Sequence, residues 1–133
     1  MFELLINLQL KQMCVVPANV ATDVVEVCYP IAQGKSSTPT PIGNFTIQRV
    51  VRNPSFISCK NGVNYGSGFL GNLALVTNKE TSPGCSFAIH GTNNDYLVTS
   101  GAKVSEGCIR MRNKDIQHLE ANYLPFITGG SVK

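Results

Sequence analysis

Tryptophan is absent from this chain of 133 residues, histidine occurs twice, and charged residues make up only 14% of it. Such sparse charge, with 43% hydrophobic residues and a mean hydropathy of +0.05, excludes a disordered polyelectrolyte and marks a globular chain. No apolar run approaches the roughly 20 residues of a membrane-crossing helix, so no span is expected. The net charge of +3 is scattered, with nothing denser than Arg110, Arg112 and Lys114, which argues against nucleic acid as a partner. Cys85, His90, Glu106 and Cys108 could converge, but Cys-x-x-Cys and His-x-x-x-His pairs are missing, so no metal is expected. Phosphate loops, dinucleotide fingerprints and serine nucleophile elbows are also missing, and no cofactor is expected. The first ten residues have neither a basic leader nor a small-residue cleavage site, so no secretory signal is expected in this sequence. Without repeats, low-complexity tracts or a boundary, residues 1–133 read as a single domain.

Cysteine is present in odd number: Cys14, Cys28, Cys59, Cys85 and Cys108. At least one is unpaired in any intrachain scheme, and the candidate is Cys108. Cys14 and Cys28 flank a turn centred near Ala21 and could bridge across a hairpin. They could equally be buried thiols acting as small hydrophobes.

Alternation of apolar and polar residues predicts a first strand over Glu3 to Leu10, continued by Gln12 to Val16, and a hairpin partner over Asp23 to Ile31. Gln33 to Gly43 is a Gly-, Ser- and Pro-rich loop, followed by a strand from Phe45 to Val51. The stretch Pro54 to Gly71 lacks periodicity and reads as a long surface loop. A short strand over Leu73 to Thr77, a turn over Asn78 to Gly84 and a strand from Ser86 to His90 come next. Glu106 to Met111 reads as a strand or tight turn. A helix is expected over Lys114 to Tyr123, capped by Asn113, with Ile116, Leu119 and Tyr123 on one face. Pro125 stops it, and Phe126 to Val132 supplies a closing strand. The tally is mainly β with one helix.

One pair of residues carries chemistry. An ordinary thiol is mostly protonated at neutral pH, so Cys108 needs a base or a nearby cation to act as a nucleophile, and His90 is the available base. The two can meet if the strand ending at His90 lies beside Cys108. Gly91 and Gly107 remove side chains beside both groups, which admits a substrate backbone and frees amides to donate to an oxyanion. Arg110 and Arg112 straddle Met111, so an extended chain points both to the face of Cys108, where a guanidinium could hold a substrate carboxylate and favour the thiolate. His118 has no partner at ligand spacing and reads as a surface residue.

The segments His90-Gly91-Thr92 and Ser105-Glu106-Gly107-Cys108-Ile109-Arg110 resemble the hallmark of the L,D-transpeptidase catalytic domain, or YkuD domain. Similar to that family, too, are Leu4 to Leu8 and the run Thr40-Pro41-Ile42-Gly43-Asn44-Phe45-Thr46-Ile47. The resemblance implies a β-sandwich of mixed sheets with one short helix after the cysteine motif. It further implies a peptidoglycan L,D-transpeptidase in a periplasm or cell envelope, with stem peptides as partners. Cys108 would take a tetrapeptide stem as a thioacyl-enzyme and pass it to an acceptor amine as a cross-link between the third residues of two stems. His90 would relay the proton, the Gly91 carbonyl would orient the imidazole, and Gly107 and Cys108 amides would hold the oxyanion. Arg110, Thr92, Ser105 and Glu106 would bind substrate. Water as acceptor would make an L,D-carboxypeptidase, and loss of chemistry a silent peptidoglycan-binding domain. Glu106 stands where the family carries a second histidine; beside the sulfur it would oppose the thiolate, whereas against His90 it would stabilise the imidazolium.

Overall fold

The computed structural model describes residues 1–18, 24–59, 61–100 and 103–133, with backbone alone for 103–105. Its elements in chain order are β1 (Phe2–Asn7), β2 (Gln12–Pro17), β3 (Val27–Pro30), β4 (Gln33–Gly34), β5 (Gly43–Arg52), β6 (Ser55–Ile57), β7 (Asn64–Ser67), β8 (Leu73–Ser82) and β9 (Cys85–His90). Then come α1 (Asp95–Thr99), β10 (Lys103–Ser105), β11 (Ile109–Arg110), α2 (Asn113–Asn122), a 3-10 turn over Leu124–Phe126, and β12 (Ile127–Val132).

A curled mixed sheet runs in the order β11-β9-β8-β5-β12-β1-β2-β3, so the mainly-β expectation holds. Alternation decides which face is covered: Leu4 and Ile6 of β1, Met13 and Val15 of β2, Leu75 of β8, and Phe87 and Ile89 of β9 are all fully buried. Ile116 and Leu119 of α2 close over that face, also with no exposure. Burying each such side chain contributes about 1.5–3 kcal/mol before the entropy of ordering it.

Several boundaries differ from the sequence expectation. The predicted first strand is two strands, paired antiparallel from Phe2 opposite Pro17 to Asn7 opposite Gln12. Asn7 Oδ1 accepts from the Leu10 amide at 2.9 Å and Lys11 adopts φ 54°, so the chain reverses inside what reads as one alternating run. The second strand keeps only Val27–Pro30, because Ala32 leaves for β11 and exchanges two 2.9 Å backbone hydrogen bonds with Arg110; Asp23 lies outside the described residues. The loop from Pro54 to Gly71 contains the β6–β7 hairpin, whose Phe56 and Tyr65 rings stack at 5.3 Å. Tyr65 is exposed and Phe56 only half-buried, so burial leaves no periodic signature there.

Strand β8 runs on to Ser82, and the expected turn shrinks to Pro83 and Gly84. Its outer end is polar and exposed, which hides it from an alternation test. Besides the expected helix there is α1, within the polar loop, capped by Asn94 Oδ1 accepting from the Tyr96 amide at 3.2 Å. Arg112, not Asn113, occupies the N-cap of α2. Cys14 and Cys28 sit directly opposite each other on β2 and β3 and are bridged, with Cα atoms 4.0 Å apart. A second bridge, Cys59–Cys85, ties the β6–β7 hairpin to the start of β9 and leaves Cys108 outside both bridges.

Candidate active site

Strands β9 and β11 run parallel, with Ile109 beside Ile89 and Arg110 beside His90. The isoleucines are fully buried on the core side. His90 and Arg110 therefore share the opposite face, and Cys108, two residues before Arg110, joins them there. The sequence's His and Cys segments thus meet side by side. On its other edge β11 is locked by Ala32, so the turn bearing Cys108 is held from both sides.

That turn depends on glycine at 107. Gly107 has φ 116°, and a Cβ there would lie 2.8 Å from Thr81 Cγ2 and 3.3 Å from the Pro39 carbonyl. The Thr-Pro segment explains itself at the same spot, because Thr40 Oγ1 accepts from the Gly34 amide at 3.0 Å and brings β4 against Gly107. Thr40 lies in the run that the family resemblance already marked, whereas Gly34 and Thr81 support the site without any local sequence signal that would have said so.

The geometry of His90 defines its tautomer. Its Nδ1 lies 2.6 Å from the Gly91 carbonyl, which can only accept, so Nδ1 carries the proton and Nε2 presents a lone pair. His90 is 4% exposed, and burial pushes its pKa from 6.5 down to about 4; the Gly91 hydrogen bond opposes this and Arg110 adds to it. Cys108 is half-buried, with its Sγ donating to the Ser86 carbonyl at 3.7 Å. Burial raises the thiol pKa, the backbone hydrogen bond at Ala88 and the Arg110 charge lower it, and the Glu106 carboxylate raises it again. Burial thus favours the neutral form of each group, the thiol as well as the imidazole.

Glu106 is exposed, and its charge acts on the sulfur, whereas Arg110 is the charge felt by His90. The carboxylate therefore opposes the thiolate. Arg110 is half-buried, and among the described residues no carboxylate pairs with it. Arg112 does not join the site. With β11 ending at Arg110 and α2 beginning at Asn113, Arg112 turns to Asp115 at 2.8 Å.

Thr92, expected to bind substrate, is 2% exposed, and its hydroxyl accepts from the Asn94 amide at 3.1 Å. It holds the turn into α1. The Ser105 side chain lies outside the described residues. Among the described residues no group of His, Cys, Asp and Glu is arranged to hold a metal ion. His118 is exposed, with Nδ1 2.8 Å from the Tyr29 hydroxyl.

The model of the YkuD family, the L,D-transpeptidase catalytic domain, matches residues 2–125. The YkuD protein of Bacillus subtilis (strain 168) is 41% identical over 91 residues, covering 68% of this chain and 44% of its own. The YqjB protein of the same strain is 36% identical over 97 residues, covering 71% and 53% respectively. The chain thus spans about half the length of these relatives. Among solved structures, Bd1075 of Bdellovibrio bacteriovorus superposes with a TM-score of 0.70 at 20% identity, covering 99% of this chain and 47% of that one. An L,D-transpeptidase from Mycobacterium tuberculosis H37Rv gives 0.68 at 17%, covering 99% and 57%. At those identities the likeness concerns the fold. With the family match spanning nearly every element that builds the His90 and Cys108 face, the chain belongs to the L,D-transpeptidase catalytic domain family.

Proposed function

We propose that this chain is a peptidoglycan L,D-transpeptidase that uses Cys108 as its nucleophile. The observation that carries the reading is the 2.6 Å contact between His90 Nδ1 and the Gly91 carbonyl, which leaves Nε2 as a base on the face shared with Cys108. Because burial favours the neutral form of both groups, the reaction runs by general-base catalysis. As the thiol sulfur attacks the diaminopimelate carbonyl of a tetrapeptide stem, its proton passes to His90 Nε2. The carbonyl electrons move onto oxygen, where Gly107 and Cys108 amides stabilise the charge. Collapse of this intermediate breaks the bond to the terminal D-alanine, whose amine leaves with the proton from His90, and a thioester remains. An acceptor amine then attacks the thioester, His90 takes its proton, and the sulfur recovers it on leaving.

Arg110 supports the reading as a half-buried cation, with no carboxylate on it among the described residues, able to hold a substrate carboxylate. It also offsets part of the burial that raises the Cys108 pKa. Two disulfides fit an oxidising compartment, in keeping with a cell-envelope location.

The test is incubation with a disaccharide-tetrapeptide, followed by mass spectrometry. Cross-linked dimer supports the transpeptidase. Tripeptide alone means that water is the acceptor and the protein is an L,D-carboxypeptidase. Identical, unchanged substrate with wild type and Cys108→Ala refutes an enzymatic role and leaves a peptidoglycan-binding domain.

A further inference from the structure

Asn113 sits in the first turn of α2, where a side chain ordinarily faces outward or caps its own helix. Its carboxamide instead reaches away from the helix, between two glycines. A Cβ on either Gly71 or Gly91 would fall on Asn113 Oδ1, so both positions must lack a side chain for the amide to enter. Inside this slot Nδ2 donates to the Thr92 carbonyl at 2.8 Å, and Oδ1 faces the Asn72 amide at 3.4 Å. One side chain thereby joins three segments far apart in sequence.

The segment it grips is the one that orients the base. The sheet fixes the start of this segment, with the Met111 amide donating to the His90 carbonyl at 2.8 Å and the Gly91 amide to the Leu73 carbonyl at 3.1 Å. Asn113 holds its end, its Oδ1 filling the space that a Gly91 Cβ would need and its Nδ2 donating to the Thr92 carbonyl. Between those two holds lies the Gly91–Thr92 peptide, whose carbonyl accepts from His90 Nδ1. We infer that Asn113 is a positioning residue for His90: it fixes the Gly91 carbonyl through the Gly71–Gly91 slot and so keeps the imidazole proton on Nδ1 and the lone pair on Nε2.

The consequence for catalysis rests on the proposed function, whereas the tautomer does not, so the experiment reads them separately. Asn113→Asp keeps the shape and the Oδ1 acceptor but replaces the Nδ2 donor by an oxygen facing the Thr92 carbonyl. Asn113→Ala removes both contacts. In uniformly labelled protein at pH 7, long-range proton–nitrogen spectra distinguish a protonated from a bare imidazole nitrogen, and His118 is an internal reference. The wild type should show His90 protonated on Nδ1. In both variants the two His90 nitrogen signals should move toward each other as tautomers mix, while those of His118 stay in place. With tetrapeptide, kcat should fall by about 10-fold with KM little changed, the size typical of losing a group that orients a functional histidine.

Unmoved His90 signals in folded variants would overturn the inference, even if kcat fell, since Asn113 would then be a packing residue. A proton on Nε2 in the wild type overturns it as well, and so does failure of both variants to fold, which would make Asn113 a packing residue. Moved signals in a protein that makes no product from tetrapeptide would sustain the positioning role and refute the proposed reaction.

Discussion

Burying His90 in its neutral form makes the stability of this domain depend on pH in a defined window. In the unfolded chain the imidazole titrates at its ordinary 6.5, while in the folded protein burial holds it down to about 4. Between those values the unfolded state binds the proton and the folded state does not. The contribution of His90 is therefore fully present above pH 6.5 and is lost as pH falls toward 4. A gap of 6.5 against about 4 corresponds to about 3 kcal/mol. Mid-window the slope is about 1.2 kcal/mol per pH unit. For a domain of this size the loss lowers Tm by about 10 °C. Urea denaturation of the wild type and His90→Gln at intervals from pH 7 to pH 4 isolates the effect, because carboxylates and His118 are common to both proteins and cancel in the difference. The wild type should lose about 3 kcal/mol more than the variant over that range. Parallel pH profiles for the two proteins would refute the argument, since His90 would then titrate alike in both states.

Two further perturbations address the cysteine side of the site. Glu106→Gln removes a carboxylate that raises the Cys108 pKa, so alkylation by iodoacetamide at pH 7 should quicken by about 2- to 5-fold at low salt, the reach of an exposed charge, and less at high salt. A slower reaction would mean that Glu106 helps the thiolate instead. Gly107→Ala places a Cβ 2.8 Å from Thr81 Cγ2 at a φ of 116°, which should cost about 2–4 kcal/mol by urea denaturation and slow Cys108 alkylation. A loss below about 1 kcal/mol would show that the turn relaxes at little cost.

The parts of this protein legible in its sequence are those in which neighbours along the chain share one environment. Strand β9 announces itself because Phe87 and Ile89 alternate with Ser86 and Ala88 across a single buried face. Helix α2 does so through the spacing of Ile116 and Leu119. The His90 and Cys108 segments stand out because thiol, imidazole and flanking glycines are each local. Strand β8 and the β6–β7 hairpin are less visible, since their exposed residues carry no periodic burial.

What tertiary structure alone decided is the state and support of the site. The sequence determined that a thiol and an imidazole occur with glycines at their sides, and that Arg110 follows close behind. Burial favours the neutral form of both, a collective effect of distant segments that no single residue encodes. Convergence likewise turned Arg112 to Asp115, committed the Thr92 hydroxyl to its own turn, and joined Cys59 to Cys85. Asn113 is the clearest case: beside a helix start its sequence context predicts a cap. Only the approach of Gly71 and Gly91 from elsewhere in the chain opened the slot that directs its amide to the Thr92 carbonyl.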